Sequence, residues 1–293
     1  MDQAQNLRNL VKAQNVNMVS DTKIFTITSG KGGVGKSNAA VNLAVQFRKM
    51  GKRVIILDAD FGTANVEVMF GTIPKHNLSD FVFGDLDLKD LITEGPEGIG
   101  FISGGSGILK LNNLNNEQLN AVIYELSELN QYADILLIDT GAGVSDTVLD
   151  FVLASPEVLL VTTPEPSSIT DAYSLIKAVY KSGKQPNELP NIRLIANKIV
   201  ADDEGKAVYT KLSSVVKKFL NGSISYLGDL PYDVSLEKAV RNQQIVSLTS
   251  PASKSARAYY DLANQLLGNE TAHDSRAGLI RFFQSFVNKQ ESV

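Results

Sequence analysis

Apolar residues along this chain fall into two alternating rhythms. Short β-branched or aliphatic runs occupy residues 23–28, 53–57, 135–138, 158–162 and 192–196. Each is apolar at consecutive positions, the pattern of a parallel strand buried on both faces. Longer segments with helical spacing lie between several of them, at 37–50, 117–129, 168–181 and 206–220. Strands alternating with helices predict βαβ units with right-handed crossovers. The fold class is therefore α/β, a mostly parallel β-sheet flanked by helices on both faces. Ligands of such sheets sit beyond the C-terminal ends of the strands, so the informative residues should follow the runs.

Three parts can be told apart. Residues 1–20 are a short polar lead with helical character, residues 21–268 the main domain, and residues 274–291 an amphipathic tail behind a polar linker. On a helical wheel Leu279, Ile280, Phe282, Phe283, Phe286 and Val287 form one arc, opposite Arg281, Gln284, Ser285 and Asn288. Two uses suit such a face: insertion into an anionic membrane interface, or packing on the domain as a last helix.

Composition narrows the options. Hydrophobic residues make up 43% and charged residues 20% of the 293, as in ordinary globular proteins. There is no cysteine, which excludes disulfides and thiolate-held metal or iron–sulfur sites and favours a cytosolic address. The formal charge of -4 argues against a nucleic-acid partner. No run approaches the roughly 20 apolar residues that span a bilayer. The first residues lack the apolar centre of a secretory signal.

The sharpest chemistry follows the first run. Residues Gly30, Lys31, Gly32, Gly33, Val34, Gly35, Lys36 and Ser37 fit the spacing G-x-x-x-x-G-K-[ST] between a strand and a helix, and Asn38 continues the helix. Glycines let the backbone curl so that N–H groups point at phosphate oxygens. The helix N-terminus adds its partial positive charge. Lys36 is expected to neutralise the β- and γ-phosphates of ATP, and Ser37 to offer a hydroxyl to Mg²⁺. This makes the domain a P-loop NTPase.

Carboxylates end two further runs. The strand at 53–57 leads into Asp58 and Asp60, and the strand at 135–138 into Asp139, the Walker B form. Beside a P-loop they read as residues that manage metal and attacking water. Thr140, Gly141, Ala142 and Gly143 make a small-residue turn suited to sensing the γ-phosphate.

The second lysine of the loop, Lys31, gives it the form Lys-Gly-Gly-Val-Gly-Lys-Ser, which resembles the deviant Walker A motif of MinD/ParA-class ATPases. Residues 161–173, with Thr163, Pro164, Glu165, Pro166 and Ser167 at their centre, resemble the segment of that class after the next strand. The resemblance covers residues 21–268. It implies that Lys31 reaches across an ATP-bound homodimer to the partner's phosphates, or adds positive potential within its own chain. It implies Lys31, Lys36 and Asp60 as the catalytic set, with Asp60 positioning the water. It further implies Ser37, Asp58 and Asp139 at the metal and Asn65 as a switch residue. Contacts to the base would come from Asn197, Pro231 and Asp233.

The head Asp2, Gln3, Ala4, Gln5, Asn6, Leu7, Arg8 matches the D-Q-A-x-x-L-R pattern of FlhG-type (FleN/YlxH) members, which control flagellar number and placement. That resemblance implies an FlhF-type SRP-family GTPase as partner. Gln3 would stimulate it, and Asp2, Ala4, Leu7 and Arg8 would belong to the contact. Flagellar basal-body ring components and the anionic inner face of the membrane are implied as further partners. A MinD-type division-site regulator is the nearest alternative, followed by a ParA-type DNA-partition ATPase.

Overall fold

In a computed structural model, the structure describes residues 22–60, 65–84, 86–104, 116–268 and 275–285. The lead at 1–20, and Phe286 and Val287 of the tail, lie outside these residues.

Eight strands form one sheet: β1 Lys23–Ser29, β2 Val54–Ala59, β3 Thr93–Glu94, β4 Gly100–Ser103, β5 Ile135–Ala142, β6 Glu157–Thr162, β7 Asn191–Ile199 and β8 Ser225–Pro231. Their order is β3-β4-β2-β5-β1-β6-β7-β8. Every neighbouring pair is parallel except β3 with β4 at one edge. The five predicted runs all became strands. Their continuous apolar stretches work because helices cover both faces.

On one face lies the helix Lys36–Lys49, whose Ala39, Ala40, Val41, Leu43, Ala44, Val45 and Phe47 are all buried. Phe47 stacks on Phe25 of β1, with centroids 6.2 Å apart. Burying each such large apolar side chain stabilises the fold by about 1.5–3 kcal/mol. Polar groups on the same helix tie it to the C-terminal part of the domain. Gln46 Nε2 donates to Ser247 Oγ and to the Ala256 carbonyl, and Asn42 Oδ1 accepts from the Ser247 amide. The helix Lys254–Gly268 packs on this face too, burying Tyr259, Leu262, Ala263 and Leu266.

The opposite face carries the helices Asn116–Ser127, Asp146–Ala154, Pro166–Tyr180 and Glu204–Leu220. The tail helix Ser275–Gln284 joins them there. Leu279, Phe282 and Phe283 are fully buried, and Ile280 is partly buried against them. Phe282 lies 6.3 Å from Phe151 of the helix Asp146–Ala154, centroid to centroid. Of the two uses open to this apolar face, the structure adopts the docked one. The reason is area: three large side chains fill a groove between two helices that would otherwise stand open to water.

Candidate functional site

The strand order decides where the chemistry gathers. β2, β5 and β1 are neighbours, so the segments that follow them meet at one edge of the sheet. Asp58 lies near the end of β2 and Asp139 within β5, Asp60 directly follows β2, and the loop Gly30–Ser37 follows β1.

The loop is shaped by its glycines. Gly33 and Gly35 take φ values of +76° and +100°, a left-handed backbone that favours glycine. At Gly30 the constraint is space: a Cβ there would sit 2.1 Å from the backbone carbonyl carbon of Asp171. Gly35 is also the N-cap of the helix Lys36–Lys49 and brings no side chain to it, and no acidic residue occupies the first turn. The helix's first amides are thus left for an anionic ligand. The loop is braced from β7. Asn197 Nδ2 donates to the Val34 carbonyl at 2.7 Å, and Lys198 Nζ to the Gly33 carbonyl at 3.2 Å.

Asp58 and Asp139 are register partners across β2 and β5. Asp139 is fully buried, and neither of its oxygens has a hydrogen-bond partner. Burial pushes its pKa up to about 6, against the pull of the Lys36 ammonium and of the nearby Ser37 hydroxyl, which falls short of hydrogen-bond geometry. Asp58 is pushed up to about 7 by burial and by the Asp139 carboxylate. The amides of Asp60 and Val66, donating to its two oxygens at 3.1 and 3.3 Å, offset part of that rise. Asp60 accepts from Asn65 Nδ2 at 3.4 Å, and a Cβ added at Gly141 would lie 3.7 Å from its Oδ1. The turn expected at 140–143 is strand through Ala142, because β5 stays paired with β2 as far as Thr140 and with β1 as far as Ala142, and the chain bends only from Gly143. The Gly143 amide at that bend donates to the Ser29 carbonyl at the mouth of the loop.

A buried carboxylate without partners, beside a hydroxyl and an exposed edge, suits a hydrated divalent cation. Among the described residues no three His, Asp or Glu side chains gather into a metal cage. A cation here would therefore take its remaining ligands from water and phosphate oxygens, the habit of Mg²⁺.

Lys31 stands at the rim. Its ammonium lies 3.1 Å from Glu165 Oε2 and 2.7 Å from Ser167 Oγ of the same chain. Sequence reasoning missed these partners, although the segment that carries them had been singled out. Asn197 is engaged at both ends of its amide, donating to Val34 and accepting from the Lys198 amide, which leaves one N–H for a ligand. Pro231 ends β8. Asp233 caps the helix Val234–Arg241 and also accepts from the amide and hydroxyl of Ser255, so its side chain is committed to structure.

Comparison with known proteins fits this geometry. A family model described as "ParA: NUBPL iron-transfer P-loop NTPase" matches residues 20–267. "Antiactivator FleN" of Pseudomonas aeruginosa is 39% identical over 244 residues, 83% of this chain and 86% of its own. "Flagellum site-determining protein YlxH" of Helicobacter pylori is 36% identical over 295 residues, 98% of each. The chain belongs to the MinD/ParA family of P-loop ATPases, in its FleN/YlxH (FlhG-type) branch. As a member of that family it is an ATP-hydrolysing enzyme. Iron transfer, which the family description mentions, would need ligands other than thiolates here, since the chain has no cysteine. The structure of MinD with Mg-ADP from Pyrococcus horikoshii superposes on this FleN/YlxH-type chain with a TM-score of 0.65 at 25% identity, covering 85% of this chain and 98% of that one. Among the described residues, no helix is long and apolar enough to cross a membrane.

Proposed function

We propose that this chain is an ATP-driven, dimerising switch that sets the number and placement of flagella and associates reversibly with the membrane. The observation that carries the flagellar reading is the identity with YlxH, which extends over 98% of both chains and so reaches into both end segments.

At the nucleotide edge, the loop amides and Lys36 bind the phosphates of ATP. Ser37, Asp58 and Asp139 hold Mg²⁺, which when bound supplies charge compensation to the β- and γ-phosphates. Asp60 orients the attacking water, and the segment 140–143 at the end of β5 senses whether the γ-phosphate is present. Asn197 offers its remaining N–H to the base, joined by backbone groups of Pro231 and Asp233. Lys31 exchanges Glu165 for the phosphates of a second copy, so ATP and dimer form together.

The docked tail supports a membrane cycle. Phe282 packs on Phe151, in a helix that starts three residues after the segment 140–143. Movement of that helix on dimerisation releases Leu279, Ile280, Phe282 and Phe283, which with Phe286 and Val287 form the face offered to an anionic leaflet. Hydrolysis returns the tail to its groove. The segment 1–20 docks on an FlhF-type GTPase, with Gln3 stimulating hydrolysis and Asp2, Ala4, Leu7 and Arg8 in the contact. Basal-body ring components receive the output.

The test is to mix a peptide of residues 1–20 with the FlhF-type GTPase of the same organism and follow GTP hydrolysis. Stimulation that disappears with Gln3→Ala supports the reading. No stimulation, or stimulation indifferent to Gln3, overturns the flagellar assignment in favour of a MinD-type division role.

A further inference from the structure

The helices Pro166–Tyr180 and Glu204–Leu220 end side by side. Tyr180 Oη donates to the Ser223 carbonyl and accepts from the Ser223 amide, both at 2.9 Å, and Gly222 lies against the Tyr180 ring. The two helix ends display Lys177, Lys181, Lys217 and Lys218, with Lys211 one to two turns up the second helix, all exposed. None makes an ion pair among the described residues. In the stretches 172–201 and 205–228 the one acidic residue is Glu188. A chain with a formal charge of -4 therefore concentrates unpaired positive charge on one small area.

Phe219 belongs to this area, 64% exposed, with the Lys218 ammonium 5.3 Å from its ring centroid. An exposed aromatic ring with a lysine folded over it is the side-chain pairing of a water–lipid boundary, where the ring enters and the ammonium stays with the headgroups.

The location is equally informative. Register runs from Ile138 through Thr26 to Val158 and on to Ile192. The groove that holds the tail and the helices that carry the lysines therefore cover the same face of the sheet. Crossover helices run back against the strands, so their C-terminal ends lie opposite the nucleotide edge. A flat partner could contact the lysines and a released tail together while the nucleotide edge meets a second copy.

We propose that Lys177, Lys181, Lys211, Lys217, Lys218 and Phe219 form a second, electrostatic contact with an anionic lipid bilayer. This inference rests on the membrane association proposed above and adds to it. One short apolar segment gives marginal, reversible anchoring, and a polybasic surface is the usual second signal. The tail would confer the response to ATP, and the lysine face the preference for anionic headgroups.

The test uses the full chain with Mg·ATP and vesicles of phosphatidylcholine, alone or mixed with phosphatidylglycerol. Expected results are tighter binding to the anionic vesicles and loss of that advantage at high salt. Lys217→Gln/Lys218→Gln and Lys177→Gln/Lys181→Gln should each lower anionic partition by about twenty-five-fold, at about fivefold per lysine. Binding to neutral vesicles, ATP turnover and melting temperature should not change. Phe219→Ser should weaken binding to both vesicle types. If both double variants bind anionic vesicles like the parent, the proposal fails and the tail reading stands. Equal losses on neutral and anionic vesicles would also overturn it, as would lysine-dependent retention on DNA with vesicle binding intact. If the parent binds neither vesicle, the membrane reading falls and takes this inference with it.

Discussion

Asp58 and Asp139 face each other as register partners on β2 and β5, two buried carboxylates in one row of the sheet. Burial raises both pKa values, to about 7 for Asp58, helped by the Asp139 carboxylate, and to about 6 for Asp139, helped by the Asp60 carboxylate. A divalent cation needs them ionised. Binding of Mg·nucleotide near pH 7 should therefore release protons, and affinity should rise with pH through the interval from 6 to 7. Calorimetry in buffers of different ionisation enthalpy measures the release. A binding enthalpy independent of buffer would rule the carboxylates out as the metal's ligands.

The same shifts bear on stability. A carboxyl group whose pKa is higher in the folded state binds more protons there than in the unfolded chain, between its unfolded and folded pKa values. Its contribution therefore stabilises the fold as pH falls from 8 towards the carboxylate range, and destabilises it as pH rises. Asp139→Asn removes a buried charge and sacrifices no hydrogen bond. We expect it to raise the nucleotide-free stability at pH 8 by on the order of 2 kcal/mol and to abolish Mg²⁺-dependent turnover. Urea midpoints at pH 8 and 6.5 check this. A variant less stable than the parent at pH 8 would contradict the burial argument.

Two glycines of the phosphate loop should behave differently. A Cβ at Gly30 would collide with the Asp171 backbone, whereas at Gly32 it would meet nothing within 4 Å. Gly30→Ala should cost about 3 kcal/mol, because backbone cannot step aside as a side chain can. Gly32→Ala should leave stability within about 0.5 kcal/mol of the parent. Thermal melts of the two variants decide the matter.

Lys31 pairs with Glu165 of its own chain at 3.1 Å. With both side chains part-exposed, their ion pair contributes little to stability. Under the proposed exchange its consequence lies in assembly, since a Lys31 that reaches another copy would have to leave Glu165. Glu165→Gln should lower the ATP concentration at which dimers appear in light scattering. Lys31→Ala should still bind nucleotide and fail to dimerise. Dimerisation of Lys31→Ala at parental ATP concentrations would exclude the exchange.

Phe151 and Phe282 allow the tail to be tested from both sides. Phe282→Glu should weaken vesicle binding in every nucleotide state, since it alters the inserting face. Phe151→Ala leaves the tail's sequence intact and removes part of its groove, so ADP-state binding should rise towards the ATP level. Co-sedimentation with a circular-dichroism check of folding reads both. A fall in vesicle binding for Phe151→Ala would mean that docking does not oppose membrane contact.

The strands that carry the site were legible because each is a continuous apolar run followed by chemistry. β4 was not: it is four residues between glycines and turns. β8 was hidden for another reason. It lies at the sheet edge, where Leu227 and Leu230 are buried and the other positions are partly exposed, and Gly228, Asp229 and Pro231 within it read as loop. The helix Asp146–Ala154 went unnamed although Ser145 caps it, accepting from the Val148 amide. The tail's apolar arc was visible on the wheel, but its destination was not, because a core and a bilayer ask for the same residues. The pairing of Lys31 with Glu165 depends on β6 lying beside β1, a tertiary fact that no local pattern encodes.

The bracing of the phosphate loop by Asn197 and Lys198 has one more consequence. Both tie loop carbonyls to β7 through bonds within the protein, so the cradle is braced in a way that would receive ADP and ATP in much the same shape. Such a rigid receptor registers occupancy alone. Knowledge of which nucleotide has arrived must then be carried by the parts left adjustable: a glycine turn, a pair of carboxylates hungry for a cation, and one lysine on loan to its own chain.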